Sequence, residues 1–315
     1  MSNTAKIGFA PTRRVVFSKT DALKFKELTR EKISELGADL GDVEIVDIED
    51  INPEGLLYDN NADADKVIKR FQERQVDAAF FPHCNFGTED TVSRVARAVG
   101  KPVLLWGPRD EAPQADGSRL RDTQCGLFAT GKILRRFNTP FSYIVNSYVD
   151  DPVFERGFKN FVAVANVVKA VKRLRILQIS TRPVGFWTMI CNEGELLERF
   201  GIETYPISLE DLKNTVLSIV TENGQEVKET ITHINTKLEC NEVDDTAIKR
   251  IAALKVAIKK LAIDNGCSAV AIQCWNGLQD SIGIMPCLVN ALLTDEGIPV
   301  TCETDIHGAI TAVMA

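Results

Sequence analysis

The feature that most constrains this chain is a repeated pairing. Short apolar runs that do not alternate are each followed by a longer segment of helical periodicity. In the first half the runs are Lys6 to Ala10, Val43 to Ile48, Asp77 to Pro82, Pro102 to Trp106 and Phe141 to Val145. A strand apolar on both sides must be covered on both sides; a half-solvated strand would alternate instead. Between the runs lie Thr20 to Leu36, Asp63 to Gln75 and Thr88 to Val99, the last stopped by Gly100, then Cys125 to Phe137. Gly107 to Asp122 reads as a polar loop.

Asp151 to Lys172 reads as one long helix whose apolar set includes Phe154, Phe158, Phe161 and Val162. The pattern then restarts. Strands are expected at Arg175 to Ile179, Glu203 to Ile207, Ala269 to Gln273 and Val300 to Cys302. Helices are expected at Thr188 to Phe200, Leu209 to Val220, Asp244 to Asp264 and Ile284 to Leu293, with Glu222 to Gln225 a polar turn. This βα repetition predicts an α/β fold of two consecutive Rossmann-like domains, doubly wound and mostly parallel. The first would span 1–172, with 151–172 as the joining helix, and the second 173–315.

Net charge is −7, which argues against nucleic acid as partner, since phosphate binding needs a basic surface. No run reaches the length of a membrane span. The start, Met1 to Lys6, has no apolar leader core. The eight cysteines form no CxxC pair, so reduced thiols and a cytoplasmic location are expected.

Ligands of open α/β sheets bind beyond the carboxyl ends of strands. The first-half ends carry Arg13, Arg14, His83 and Asn85; the second-half ends carry Arg182, Trp187, Gln273, Trp275, Glu303 and Asp305. Each has a plainer reading: His83 satisfying backbone groups, Arg14 solvated, Arg182 paired with a structural carboxylate, the tryptophans in a core. Glu303 differs, because a carboxylate directly after a buried strand must be paired, hydrogen-bonded or metal-bound. Glu303, Asp305 and His307 stand where ligands of a divalent metal could converge. No GxGxxG, GxxxxGK[ST] or GxSxG occurs at these ends, which removes dinucleotide, P-loop and nucleophile-elbow chemistry.

The chain resembles the L-fucose isomerase family over most of its length. The resemblance is carried by Ile7 to Thr12, Pro82 to Glu89, Leu196 to Glu203, Ser208 to Leu212, Ala271 to Trp275 and Pro299 to Ala309, the last containing the family's Glu-x-Asp. It implies two Rossmann-like domains followed by a C-terminal domain largely of β structure, for which this sequence leaves no room. It implies Mn²⁺, or another divalent cation, and interconversion of an aldose and a ketose of L-fucose, D-arabinose or L-arabinose type through an ene-diol. Glu303 would be catalytic base and metal ligand, with Asp305 a further metal candidate. Gln273, Trp275, Arg14, His83, Asn85 and Arg182 would contact the sugar. The family's second metal carboxylate and its metal His fall beyond Ala315. Fucose isomerases have Arg where this chain has Ala10, and Trp where it has Cys84.

The expected function is therefore a ketol isomerase that is incomplete without further C-terminal sequence or a separate C-terminal-domain chain. The alternative is a sugar-binding or regulatory pseudo-enzyme module. A periplasmic-type sugar receptor is the weaker third reading, disfavoured by the missing leader and the cysteines. A homo-oligomer, a small sugar substrate and no membrane partner complete the expectations.

Overall fold

The computed structural model describes residues 4–41, 43–58, 61–240 and 242–315. The described residues divide into two compact units, one ending at Lys169 and one running from Ala170 to Ala315. The first contains β1 (Ala5–Phe9), α1 (Lys19–Leu40), β2 (Val43–Val46), α2 (Asn61–Glu73), β3 (Ala78–Pro82), α3 (Glu89–Val99), β4 (Val103–Trp106), α4 (Thr123–Arg136), β5 (Ser142–Tyr143) and nearly all of α5 (Pro152–Val171). The second contains β6 (Arg175–Ile179), α6 (Glu193–Glu195), β7 (Glu203–Ile207), α7 (Leu209–Glu222), α8 (Gln225–Lys237), α9 (Asp245–Asp264), β8 (Ala269–Ile272), α10 (Gly277–Ile282), α11 (Cys287–Asp295), β9 (Val300–Cys302) and α12 (Ile306–Met314).

Both sheets are parallel throughout. The first has order β2-β1-β3-β4-β5, the second β7-β6-β8-β9. Strand order reverses beside β1 in one and beside β6 in the other, so the topological switch points lie at β1/β3 and β6/β8. The unalternating runs have the expected consequence. In β3, Ala78 and Phe80 enter one apolar cluster while Ala79 and Phe81 enter another on the opposite face. In the second sheet, Leu177 and Ile179 face one cluster and Ile176 the other. The fold is thus α/β with two doubly wound parallel sheets.

Differences from the sequence reading have local causes. Thr188 to Phe200 is not one helix: a 3₁₀ turn spans Trp187–Met189, the Asn192 side chain caps a new start at Glu193 by accepting from the Glu195 amide, and Leu196–Phe200 is a π-helical turn. Residues 225–237 form a helix that the sequence reading left out, because its buried stripe is only Val227, Thr230 and Ile234. The helix expected from Ile284 starts at Cys287, since a residue before proline is steered away from the helical region and Pro286 intervenes. Among the described residues no helix is long and apolar enough to cross a membrane. All eight cysteines are free.

Candidate functional site

In the first unit, Arg14, His83 and Asn85 come together at the β1/β3 switch point, but mainly to hold one another's loops. Asn85 is fully buried. Its Oδ1 accepts from the Arg14 amide at 2.7 Å and from the Gly87 amide at 3.3 Å. Its Nδ2 donates to the carbonyls of Arg14 and Ser18, each at 3.3 Å. That side chain has no polar capacity left for a ligand. The Arg14 guanidinium donates to the Gly87 carbonyl at 3.0 Å, pairs with Glu89 and lies over the Phe86 ring. Arg13 is held by Glu54.

His83 is also buried, and its Nδ1 lies 2.8 Å from the Phe86 carbonyl. A carbonyl only accepts, so Nδ1 carries the proton and Nε2 is a bare lone pair, buried without a partner. Burial pushes the imidazole down to about 4. Gly126 lets α4 cross here, because a Cβ there would collide with the Phe86 carbonyl.

The second unit is different: its strand ends carry strain and spare polar capacity. A non-glycine residue in the left-handed region follows three of its strands: Ser180 after β6 (φ 68°), Asn276 after β8 (φ 59°) and Glu303 after β9 (φ 56°), the last continued by Thr304 (φ 59°). Such positions cost about 1–3 kcal/mol each and gather at functional sites. Across the β6/β8 switch point, Ser180 Oγ donates to Gln273 Oε1 at 2.7 Å. This fixes the amide so that Nε2 remains a donor.

Glu303 is 7% exposed. Cys274 Sγ donates to its Oε1 at 2.7 Å, while Oε2 is buried without a partner. Burial, then the Glu303 carboxylate and Cys302, push the Cys274 thiol above its ordinary range, so it keeps its proton and remains a donor. Register explains the contact: β8 and β9 pair Ile272 with Cys302, which places the residues just beyond each on one rim.

Beside this rim a cleft of about 240 Å³ is lined by Gln178, Arg182, Met189, Glu193 and Thr304, among others. Gln178 Oε1 and Thr304 Oγ1 are buried there without partners. Among the described residues Arg182 enters no ion pair; its only hydrogen bonds are long ones, 3.4 Å, to the carbonyls of Pro183 and Val184. Glu193 accepts from Thr204 at 2.8 Å. Trp275 is 56% exposed and meets Phe186 edge to face at 5.5 Å. Trp187 is also exposed. These rings therefore lie on the surface of the unit.

The expected convergence of Glu303, Asp305 and His307 is not formed. Asp305 Oδ1 accepts from the Gly308 amide and caps α12, and His307 rides exposed on that helix. Among the described residues no group of three or more His, Cys, Asp or Glu could hold a metal ion. Sequence reasoning also passed over Ser180, Cys274, Thr304 and Gln178. Only the strand register brings them to the rim.

Comparison with known proteins gives a family match over residues 8–172, to the fucose/sulfoquinovose isomerase N-terminal domain. A sulfoquinovose isomerase of Alkalicoccus urumqiensis is 26% identical over 235 residues, covering 75% of this chain and 52% of that protein. One from Priestia aryabhattai is 26% identical over 239 residues, with coverage of 75% and 52%. The chain spans about half the length of the curated relatives it matches. An ABC transporter solute binding protein from Bacillus halodurans C-125 with bound myo-inositol aligns over 99% of this chain and 88% of its own, at 10% identity and a TM-score of 0.24, too low to carry an argument.

Proposed function

Since the chain belongs to the fucose/sulfoquinovose isomerase family by its N-terminal domain, we propose that it binds an open-chain sugar at the strand ends of its second unit and takes part in aldose–ketose isomerisation there. The observation that carries this reading is Glu303. It is a buried carboxylate on strained backbone, with one oxygen fixed by Cys274 and the other without a partner.

The reaction moves one proton between adjacent carbons. Glu303 Oε2 would take the C2 proton of the aldose, giving an ene-diolate, and return the proton to C1 as the O2 hydroxyl proton passes to O1. Atoms balance and no oxidant is needed. Gln273 Nε2, oriented by Ser180, would donate to a sugar oxygen. Arg182, free of carboxylate partners, would meet the far end of the sugar, where an anionic substituent such as that of sulfoquinovose gains a charge-assisted bond. Trp275 would offer an apolar face to the carbon chain of the sugar.

Mn²⁺ fits these residues poorly by themselves. It favours several carboxylate donors, whereas Asp305 is engaged as a helix cap and, of these two carboxylates, only Glu303 has a buried oxygen without a partner. Further donors would have to come from outside this cluster, and no step above is routed through the metal. The missing donor cluster favours a second reading, sugar binding without turnover. Free thiols throughout fit a reducing, cytoplasmic setting.

The test is an isomerase assay on L-fucose, D-arabinose, L-arabinose and sulfoquinovose, with Mn²⁺ and with and without a candidate C-terminal-domain chain. Ketose that forms in wild-type mixtures and not with Glu303→Gln supports isomerisation. Binding without ketose in every mixture supports the second reading, and no binding of any sugar defeats both.

A further inference from the structure

The strand ends of the second unit hold two thiols on one face. Val300 packs against the apolar cluster that contains Val270 and Ile272, and Ile272 pairs with Cys302. Side chains two apart in a strand share a face. Cys302, two beyond Val300, therefore lies on the cluster side, where Asn290 Nδ2 of α11 donates to its Sγ at 3.3 Å. Cys274 stands two beyond Ile272, and the bond from the Gln273 amide to the Ile179 carbonyl, 3.1 Å, keeps the chain in the sheet between them. The two sulfurs thus share a rim, close enough that Cys302 helps to raise the Cys274 thiol.

They differ in access and in neighbours. Cys302 is exposed. Cys274 is buried, with its Sγ 2.7 Å from Glu303 Oε1. An exposed thiol is open to oxidants, and a second thiol beside it can resolve the first oxidation product into a disulfide.

We propose that Cys274 and Cys302 are a peroxide-sensitive pair that closes a disulfide across the ends of β8 and β9, with Glu303 as the proton acceptor. Cys302 Sγ attacks hydrogen peroxide: an S–O bond forms, the O–O bond breaks, and the released oxygen leaves as water with the thiol proton. Cys302 is then a sulfenic acid. Cys274 Sγ attacks that sulfur: the S–S bond forms, the S–O bond breaks, and the Cys274 proton passes by way of Glu303 Oε1 to the departing hydroxide, which becomes a second water. The two thiols lose two electrons and the peroxide gains them. A disulfide has no S–H, so Glu303 loses the donor that fixes Oε1 and the sugar site is disarmed until a thiol reductant restores it. That control rests on the role proposed for Glu303; closure of the pair does not.

The test treats the full chain with hydrogen peroxide, blocks the remaining thiols, and maps unreduced peptic peptides by mass spectrometry. The wild type should give Cys274 linked to Cys302, reversed by dithiothreitol. Cys274→Ser should instead accumulate sulfenic acid at Cys302, trapped by dimedone. Glu303→Gln should trap there too and close the pair at least about tenfold more slowly, the worth of a lost proton acceptor. Mixtures that make ketose should lose it on closure and regain it with dithiothreitol. A wild type in which Cys302 oxidises without joining Cys274, or in which another pairing dominates, would overturn the proposal. Closure as fast in Glu303→Gln as in the wild type would overturn the proton route, and full turnover with the pair closed would overturn the control. A chain that closes the pair yet never makes ketose would support the pair and count against isomerisation alone.

Discussion

Replacing Asn85 with Ala separates a loop clamp from a ligand contact. The side chain makes one short bond, 2.7 Å to the Arg14 amide, and three of 3.3 Å, to Gly87, Arg14 and Ser18. A typical bond contributes about 0.5–1.5 kcal/mol net, and the longer ones belong at the low end. The variant should lose about 2–4 kcal/mol, in the first unit. With a urea slope of about 1–3 kcal/mol per molar, the midpoint of that unit falls by about 1–2 M. Urea titration followed by Trp106 fluorescence reads this, since Trp106 is buried in the first unit's core. Asn85→Asp should also destabilise, because it turns a carboxylate oxygen toward the carbonyls of Arg14 and Ser18. An unchanged midpoint together with lost sugar binding would refute the argument and return Asn85 to the role of substrate contact.

Glu303→Gln should abolish ketose formation in any mixture that isomerises while leaving sugar binding within about threefold, measured by calorimetry and by ketose assay; retained turnover contradicts the proton-transfer role. Arg182→Gln should weaken sulfoquinovose binding about 10- to 100-fold, the worth of one charge-assisted bond, and leave L-fucose nearly unchanged; equal loss for both sugars would mean that Arg182 reads hydroxyls. Burial holds His83 at about 4 against 6.5 for a free imidazole, so the unfolded chain takes up the proton first as pH falls. Its stabilisation is complete above pH 6.5 and is lost between 6.5 and 4, about 3 kcal/mol in all. The wild type should therefore lose more stability than His83→Gln between pH 7 and 4.5 in urea melts, and equal losses would count against the neutral buried ring.

The parallel sheets were legible because buried strands are apolar at every position, as Ala78 to Phe81 are. Glu303 was legible for the related reason that a carboxylate ending such a strand needs an account. Asn85 was not, because its four partners lie in loops distant in sequence and only the fold counts them. In the sequence Cys274 is only one of eight unpaired thiols; its bond to Glu303 depends on the β8/β9 register, which no local pattern encodes. Asp305 has a carboxylate's metal-binding chemistry, yet the left-handed turn at Glu303 and Thr304 delivers it to the start of α12 as a cap. Helix α8 escaped notice because Thr230 interrupts its apolar stripe.

The central claim is that a sugar sits at the strand ends of the second unit, over Glu303. Methionine-methyl NMR reads that place directly, since Met189 lines the cleft beside Arg182 and Thr304, while Met314 lies at the far end of α12. Titration of the labelled chain with sulfoquinovose should shift the Met189 methyl resonance and leave Met314 in place. Saturable sugar binding that leaves Met189 unmoved would contradict the account.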